Sequence, residues 1–557
     1  MAERFGKGNA DRVGGLWVLH LRGTAFERGL QQGTLMRYRV REMIDFYRSL
    51  PDTLAARLVA DGSYKLRALM RLKRAMVKRL SKNRDAETVE EMRGLAVGLG
   101  MNADELAEAF VLADVIQCVG AFAERKRRAG PPVLPGFGCT SAIRETPGDG
   151  LIFGRNFDFW GAGYWDANPA VIFHHPDHGR AFCSIGTAGL PTGGVTAINE
   201  DGLAVAIHQH GSRDATLKGT PAIDIAHSII RQAGSVEEAI DVASRHRSTG
   251  GWALVMAGGS AAPRAAVLEM SSARQAARFP SEHALAASNF FVDDELSARE
   301  LQSNVSATLS DHARYNRALH LVSHTRMTTA RMAGLLGDHF DPLAGAERSA
   351  GFSISRITTL SSVIFSLHDR RFWVSESPAP TSRGGYVGFD LDAELEGRRS
   401  TVGRLEGGKP PGIKTTAAQN RYLDAYREYV GTGDLNRVLL IVGECAAIDP
   451  GEATFPFMEG ILRAMLGNFR GALASIERAV ELEGAELKKK VIMLWRARMM
   501  DLLDRRESSL ELYNELADDP DNPPILAGAA SRGRRKPFRE KNLIGLMLDM
   551  TDGDVLE

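Results

Sequence analysis

Phe137-Gly138-Cys139-Thr140-Ser141-Ala142-Ile143 and, after a turn, Gly154-Arg155-Asn156-Phe157-Asp158-Phe159 are the segments around which this chain is organised. Pro131, Pro132 and Pro135 stand just upstream and exclude a regular helix there. Thr140 to Arg144 mixes β-formers with small residues, and Thr146-Pro147-Gly148-Asp149-Gly150 is a cluster of turn residues. Leu151-Ile152-Phe153-Gly154 then resumes an apolar run. The pattern is a β-hairpin with a cysteine at the start of one strand and an Arg/Asp pair at the far end of the other. Those two ends of an antiparallel hairpin are neighbours in space. Arg155 and Asp158 are therefore expected beside Cys139, although they lie 16 and 19 positions further along the chain.

Taken alone, Cys139 reads as a small buried hydrophobe. Its setting argues for a nucleophile. Gly138 offers an unhindered carbonyl, Thr140 and Ser141 bring hydroxyls, and a cation and a carboxylate return to it. A thiol titrates near about 8.5 and a free α-amino group near about 7.7–8.0. An amine on the same residue can accept the thiol proton close to neutral pH, with no separate histidine. Such an amine exists only once the Gly138–Cys139 peptide bond is broken. The Arg155 guanidinium would favour the thiolate.

The Cys-Thr-Ser start, the turn and Gly154-Arg155-Asn156-Phe157-Asp158 resemble the N-terminal-nucleophile hydrolases that use cysteine. Bile salt hydrolases and penicillin V acylases open this way once their initiator Met is removed. Acid ceramidase and the penicillin-biosynthesis acyltransferase carry the cysteine internally and expose it by self-cleavage. Here 138 residues precede Cys139, so the second group is the closer match. The resemblance runs from about Leu16 to about Phe389. It implies an α+β fold, a four-layer αββα sandwich, with cleavage between Gly138 and Cys139. It also implies an acyl-enzyme on Cys139, with Asp158 holding the nucleophile's α-amino group. Asn289, after Ala286-Ala287-Ser288, matches the family's oxyanion donor. The second donor in relatives is usually an Asn at the end of the strand that here runs Leu203 to His208. This chain departs with His208-Gln209-His210, leaving His208 or Gln209 for the role, with a preference for His208. Arg314 matches either a family arginine near the nucleophile or an ordinary helix surface position. Asn156 alternates to the other strand face and reads as structural.

Length and composition set the frame. A chain of 557 residues and 60.6 kDa is too long for one ordinary core, so two or three domains are expected. A hydrophobic fraction of 44% and a charged fraction of 25% are ordinary for globular proteins. A formal net charge of zero argues against whole-protein attraction to nucleic acid or to an anionic membrane. No apolar run approaches the length of a transmembrane helix, and the first residues lack a signal core, so a cytoplasmic location is the default. Cys118, Cys139, Cys183 and Cys445 stand far apart and signal neither a zinc site nor a disulfide framework.

The expected organisation is as follows. Residues 1–138 form an N-terminal pro-segment of strand and helices, with Thr24 capping a first helix and Asn102 with Glu105 boxing a later one. The basic face from Arg67 to Arg79 reads as solvated helix. Residues 139–400 form the catalytic core, mostly antiparallel strands with helices in blocks. In it, Val195 to Asn199 and Leu203 to His208 pair across a tight turn, and Leu360 to Ser366 and Arg371 to Ser375 are the last strands. Residues 401–418 are a linker by composition. Residues 419–530 are a helical, tetratricopeptide-like appendage with a turn at Gly467-Asn468. Residues 531–557 are a basic tail and C-terminus.

Two rival classes follow from other features. His174-His175-x-x-His178 and His208-x-His210 have ligand-like spacing and would suit a metal-dependent hydrolase, although Pro176, Asp177 and Gly179 place the first set in a turn. The helical appendage would suit a non-catalytic binding protein. The preferred reading needs no cofactor or metal. It takes a small acyl-amide as substrate, excludes nucleic acid and membrane as partners, and leaves the C-terminal helices for a protein partner or a second copy.

Overall fold

The computed structural model describes residues 3–58, 64–125, 138–146, 150–190, 193–259, 264–301, 304–324, 326–376, 378–399 and 402–556. Phe137, the upstream prolines and the Pro147-Gly148-Asp149 turn lie outside them. Strands are numbered along the chain. The larger sheet has ten strands, in the order β1 (Glu3–Phe5), β2 (Gly8–Val13), β3 (Leu16–Gly23), β6 (Pro169–Pro176), β7 (Phe182–Thr187), β8 (Thr196–Asn199), β9 (Leu203–Gln209), β10 (Trp252–Gly258), β11 (Ala265–Met270) and β12 (Gln275–Arg278). The second sheet has seven: β13 (Ala284–Ala287), β4 (Gly138–Thr146), β5 (Gly150–Asp158), β16 (Thr359–Ser366), β17 (Arg371–Ser375), β18 (Tyr386–Asp390) and β19 (Val402–Leu405). Two small hairpins complete the strands, β14–β15 (Phe340–Asp341 and Ala346–Glu347) and β20–β21 (Met547–Asp549 and Asp554–Leu556). Among these strands pairing is antiparallel except between β3 and β6, which run parallel. With 19 helices among the described residues, the chain is a mixed α and β protein.

Strand alternation decides what each face meets. Ile143, Leu151 and Phe153 of the second sheet share one apolar core with Val18, Val171, Phe173, Ile198 and Val255 of the first. On the opposite face, Ala142, Ile152 and Ile364 pack against Ala318, Val322, Met332 and Leu336 of the helices Val305–Ser323 and Thr329–Leu336. The outer face of the ten-stranded sheet meets the helices Ala25–Met36 and Ala222–Gln232 through Leu35, Met36, Ile225 and Ile229. Thr24 caps its helix in a full capping box with Glu27.

Several sequence expectations are corrected. Asn102 caps its helix, but no box forms, and Glu105 instead faces Arg48 at 3.4 Å. His174 and His175 lie inside β6 rather than in a turn, because β6 adds in parallel to β3, a pairing across about 150 residues that local pattern cannot report. Strands continue beyond Ser375 into β18 and β19. Residues 402–405 of the linker segment form β19 against β18, and the helix Ile413–Gly431 begins within it. Seven helices run from Ile413 to Arg535. Gly467, at φ 82°, supplies the turn, and Asn468 caps the helix that follows. The segment 531–557 is not a free tail: a helix reaches Arg535, and the β20–β21 hairpin buries Met547, Leu548, Val555 and Leu556. No helix among the described residues is long and apolar enough to cross a membrane.

Candidate active site

The β4–β5 hairpin forms with Gly138 opposite Asp158, Cys139 opposite Phe157 and Ser141 opposite Arg155. Alternation turns Cys139, Ser141, Arg155 and Phe157 towards the ten-stranded sheet, and Thr140, Asn156 and Asp158 the other way. Each polar atom of Cys139 is held by a different side chain. Arg155 Nη2 donates to its Sγ at 3.6 Å. Its backbone N–H donates to Asn289 Oδ1 at 2.6 Å. Its carbonyl accepts from Arg314 Nη1 at 2.6 Å. Asn289 arrives because it follows β13, whose Ala287 pairs with Ser141. Arg314 arrives from the helix Val305–Ser323 on the outer face, and it also binds Thr140 Oγ1 at 2.9 Å, Asn289 Oδ1 at 3.1 Å and the Asp311 carboxylate.

The Arg155 guanidinium is fully buried and fixed by the carbonyls of Val195 at 2.8 Å and Ile207 at 2.7 Å and by the Thr196 hydroxyl. The thiol thus faces an immobile cation supported by β8 and β9. Burial pushes the Cys139 thiol up, Arg155 pulls it down, and Asp158 pushes it up again. Asp158 is buried as well. Burial raises its pKa, against the nearby guanidinium groups of Arg356 and Arg314. Thr359 Oγ1 donates to its Oδ1 at 2.7 Å, while Oδ2 has no hydrogen-bond partner among the described residues. That free oxygen faces Gly138. A Cβ at position 138 would stand 3.1 Å from it and only 1.9 Å from Arg356 Nη1, so any larger residue must push the Arg356 guanidinium aside.

Both ring nitrogens of His208, the preferred second oxyanion donor, have partners. Its Nδ1 lies 3.0 Å from the Ser288 carbonyl, which can only accept, so the ring proton sits there. Nε2 is then left to accept from Ser141 Oγ at 2.8 Å. Burial, with Arg155 nearby, holds this imidazole far below its usual pKa and neutral. Gln209 lies one position on and lines the cavity over Cys139, its Nε2 making only a long 3.4 Å contact to Ala113 O. The histidine clusters do not converge. His174 binds Ser184 Oγ at 3.0 Å, His175 faces His20, and His210 meets the same Ser288 carbonyl as His208. Among the described residues no group of three or more His, Cys, Asp or Glu side chains has a metal-holding arrangement.

A cavity of about 70 Å³ opens over Cys139. Its wall is apolar, and Phe157, Phe159 and Trp165 are part of it, whereas Tyr164 stacks on Phe46 at 4.2 Å outside it. Tyr47, Phe110 and Ala113, from the segment before Cys139, form another part. Sequence reasoning missed these, together with Trp252, Thr359 and Arg356. The one usable signal was Gly138 itself, a residue type that marks close approach by another group.

Residues 145–378 match the family model of acyl-coenzyme A:6-aminopenicillanic acid acyl-transferase. The match bears out the resemblance drawn from the hairpin, and it implies an enzyme of the acyltransferase or hydrolase type. It begins just after Cys139 and takes in Arg155, Asp158, His208, Asn289, Arg314 and Arg356. An uncharacterized protein of Archaeoglobus fulgidus is 24% identical over 297 residues, which are 48% of this chain and 46% of that protein. The chain thus spans about half the length of this curated relative.

Proposed function

We propose that this chain is a self-processing cysteine enzyme of the N-terminal-nucleophile type, with a four-layer αββα core, acting on linear amide bonds. The observation that carries the reading is the separate grip on Cys139: thiol by Arg155, nitrogen by Asn289, carbonyl by Arg314. In maturation the Cys139 thiol attacks the Gly138 carbonyl carbon. The Gly138–Cys139 C–N bond breaks, the thiol proton passes to the departing nitrogen, and a thioester results. Water then hydrolyses the thioester to a Gly138 carboxylate, restoring the thiol beside a new α-amine. An amine carries more N–H groups than an amide. The unpartnered Asp158 Oδ2 beside Gly138 is the additional acceptor, next to Asn289 Oδ1.

In turnover that amine takes the thiol proton, the thiolate attacks a substrate carbonyl, and the proton returns to the leaving amine. The second N–H of Asn289 Nδ2, whose first donates to the Gln209 carbonyl at 2.9 Å, and Gln209 Nε2 are the donors offered to the oxyanion. The apolar cavity suits a compact aliphatic or aryl acyl group. Water or a second amine resolves the acyl-enzyme, according to which reaches the cavity mouth. Since Tyr47, Phe110 and Ala113 line the cavity, the 1–138 segment stays packed after cleavage. The segment 419–530 is an added tetratricopeptide-like helical unit.

Intact mass of the purified chain beside Cys139→Ala tests the reading. In proportion to 138 of 557 residues, the 60.6 kDa chain should give fragments of about 15 and about 45 kDa. Cys139→Ala should stay whole and lack all amidase activity. One uncleaved, inactive species for both proteins would overturn the proposal.

A further inference from the structure

The β20–β21 hairpin lies about 400 residues from Cys139 in sequence yet reaches its site through one ion pair. Arg356 Nη2 donates to Asp552 Oδ1 at 2.5 Å, and both side chains are almost wholly buried. Nη1 of the same guanidinium is the atom that crowds Gly138. The hairpin is docked from several sides. Lys488 Nζ donates to the carbonyls of Asp552 at 3.1 Å and Gly553 at 2.5 Å. Asn304 Nδ2 donates to Asp549 Oδ2 at 3.2 Å, and the Leu548 N–H donates to Tyr429 Oη at 2.9 Å. Asn304 and Arg356 belong to the catalytic core, Tyr429 and Lys488 to the helices beyond it. The hairpin therefore joins the two parts where Arg356 touches the nucleophile's flank.

We propose that Asp552 is a positioning residue: by clamping Arg356 against Gly138 and Asp158, it makes Cys139 reactivity depend on the docked β20–β21 hairpin. The inference rests on Cys139 being the nucleophile, as read above. Arg356 sits among the carboxylates of Asp552, Asp158, Asp549 and Asp311, with Arg314, Arg155 and, on the hairpin side, Lys488 as the other cations. Of these, only Asp552 forms a direct ion pair with it. Buried charge must be paired to stay in place, so removing that one carboxylate frees the guanidinium to move.

The test is the pH profile of Cys139 alkylation by iodoacetamide in the full chain, read by peptide mass with Cys139→Ala as blank. The sign of the shift separates two roles for Asp552. Acting only as a negative charge, its loss in Asp552→Asn would lower the thiol midpoint. Acting through Arg356, its loss moves the cation away and, read in an Asp158→Asn background so that no proton taken up by Asp158 enters, raises the midpoint by about one pH unit and hence about tenfold in rate below it. Arg356→Gln should give the same upward shift, and the double variant no more than either. Asp552→Glu, which keeps charge and hydrogen bond, should restore the wild-type profile. If Asp552→Asn fails to fold, Arg356→Lys serves, and its midpoint should also rise. A downward or absent shift overturns the proposal, as does a wild-type Cys139 that no pH makes alkylatable. Intact mass in the same samples reads self-cleavage separately. A wild-type chain that never cleaves but shows the shift sinks self-processing and leaves the Asp552 role standing.

Discussion

Two buried charge clusters in this molecule resolve the same conflict in opposite ways. At the junction of core and helices, Arg348 pairs with Glu452, Glu483 and Asp341, and Glu452 accepts further bonds from the Thr454 and Ala350 N–H groups. Burial pushes Glu452 up, but Arg348 overcomes it and the carboxyl ends below its usual range. At the site, Asp158 has Arg356, Arg314 and Arg155 nearby, yet burial wins and its pKa ends raised. The difference is geometric. Arg348 turns three nitrogens onto carboxylates, whereas the site's arginines are spent on the carbonyls of Val195, Ile207 and Cys139 and on Asp311 and Asp552, and Asp158 is left, among the described residues, with Thr359 alone. A carboxylate left short of partners in a buried place is poised to take a proton or a new donor; one fully paired serves only to hold.

The comparison is sharpest at Asp158. Asp158→Asn should cut self-cleavage and turnover by about 10²–10⁴-fold, the usual range for losing a positioned proton-handling group. Stability should change little, because the variant removes a buried charge that was already incompletely paired. Denaturant unfolding beside an activity assay checks both halves. A large loss of stability with activity retained would place Asp158 in the same class as Glu452.

Arg348→Ala is the mirror experiment. It strands three buried carboxylates and should cost about 3–5 kcal/mol, the range for breaking a buried pair from one side. A cooperative urea melt measures it. The alkylation midpoint of Cys139 should stay at its wild-type pH, since Arg348 makes no contact with the site. Movement of that midpoint would mean the two clusters are one electrostatic unit.

What the sequence discloses follows the same divide between local and assembled. The β4–β5 hairpin is legible because its strands, turn and register are all set within about twenty residues, and Arg155 and Asp158 follow from that register. Asn289 is legible only through the resemblance, since its approach depends on β13 pairing with β4. Arg356 is silent in Ser355-Arg356-Ile357-Thr358, because its contacts are with Gly138 and Asp552, about 200 residues away on either side. The partners of His208 are equally silent: a histidine at a strand end looks free to donate, but its Nδ1 meets the Ser288 carbonyl, just past β13 and 80 residues on. Solvent-like patterning hid the β20–β21 hairpin too: Asp549, Asp552 and Asp554 read as exposed, yet buried cations and amides hold the turn from within.

The smallest effect is a pH dependence of stability with two limbs of opposite sign. Glu452 has a folded pKa below its unfolded value, so it stabilises the fold above about pH 4.3 and that share is lost as pH falls through the lowered value. Asp311, pushed up to about 7 by burial, behaves oppositely. Between about pH 3.9, where the unfolded chain releases this proton, and 7, where the folded one does, the native state binds more protons, and stability falls as pH rises. Asp549, also raised by burial and by Asp552, adds to that limb. Each group contributes at most about 1.4 kcal/mol per pH unit. Buried histidines held neutral, His208 and His210 among them, give the opposite slope up to about pH 6.5, so urea midpoints should fall between about pH 6.5 and pH 8, and Asp549→Asn should flatten that decline without touching the acid limb. Glu452→Gln should flatten the acid limb alone. Midpoints that rise between about pH 6.5 and pH 8 would mean that the site's carboxylates are as well paired as those around Arg348, and the contrast between the clusters would be lost.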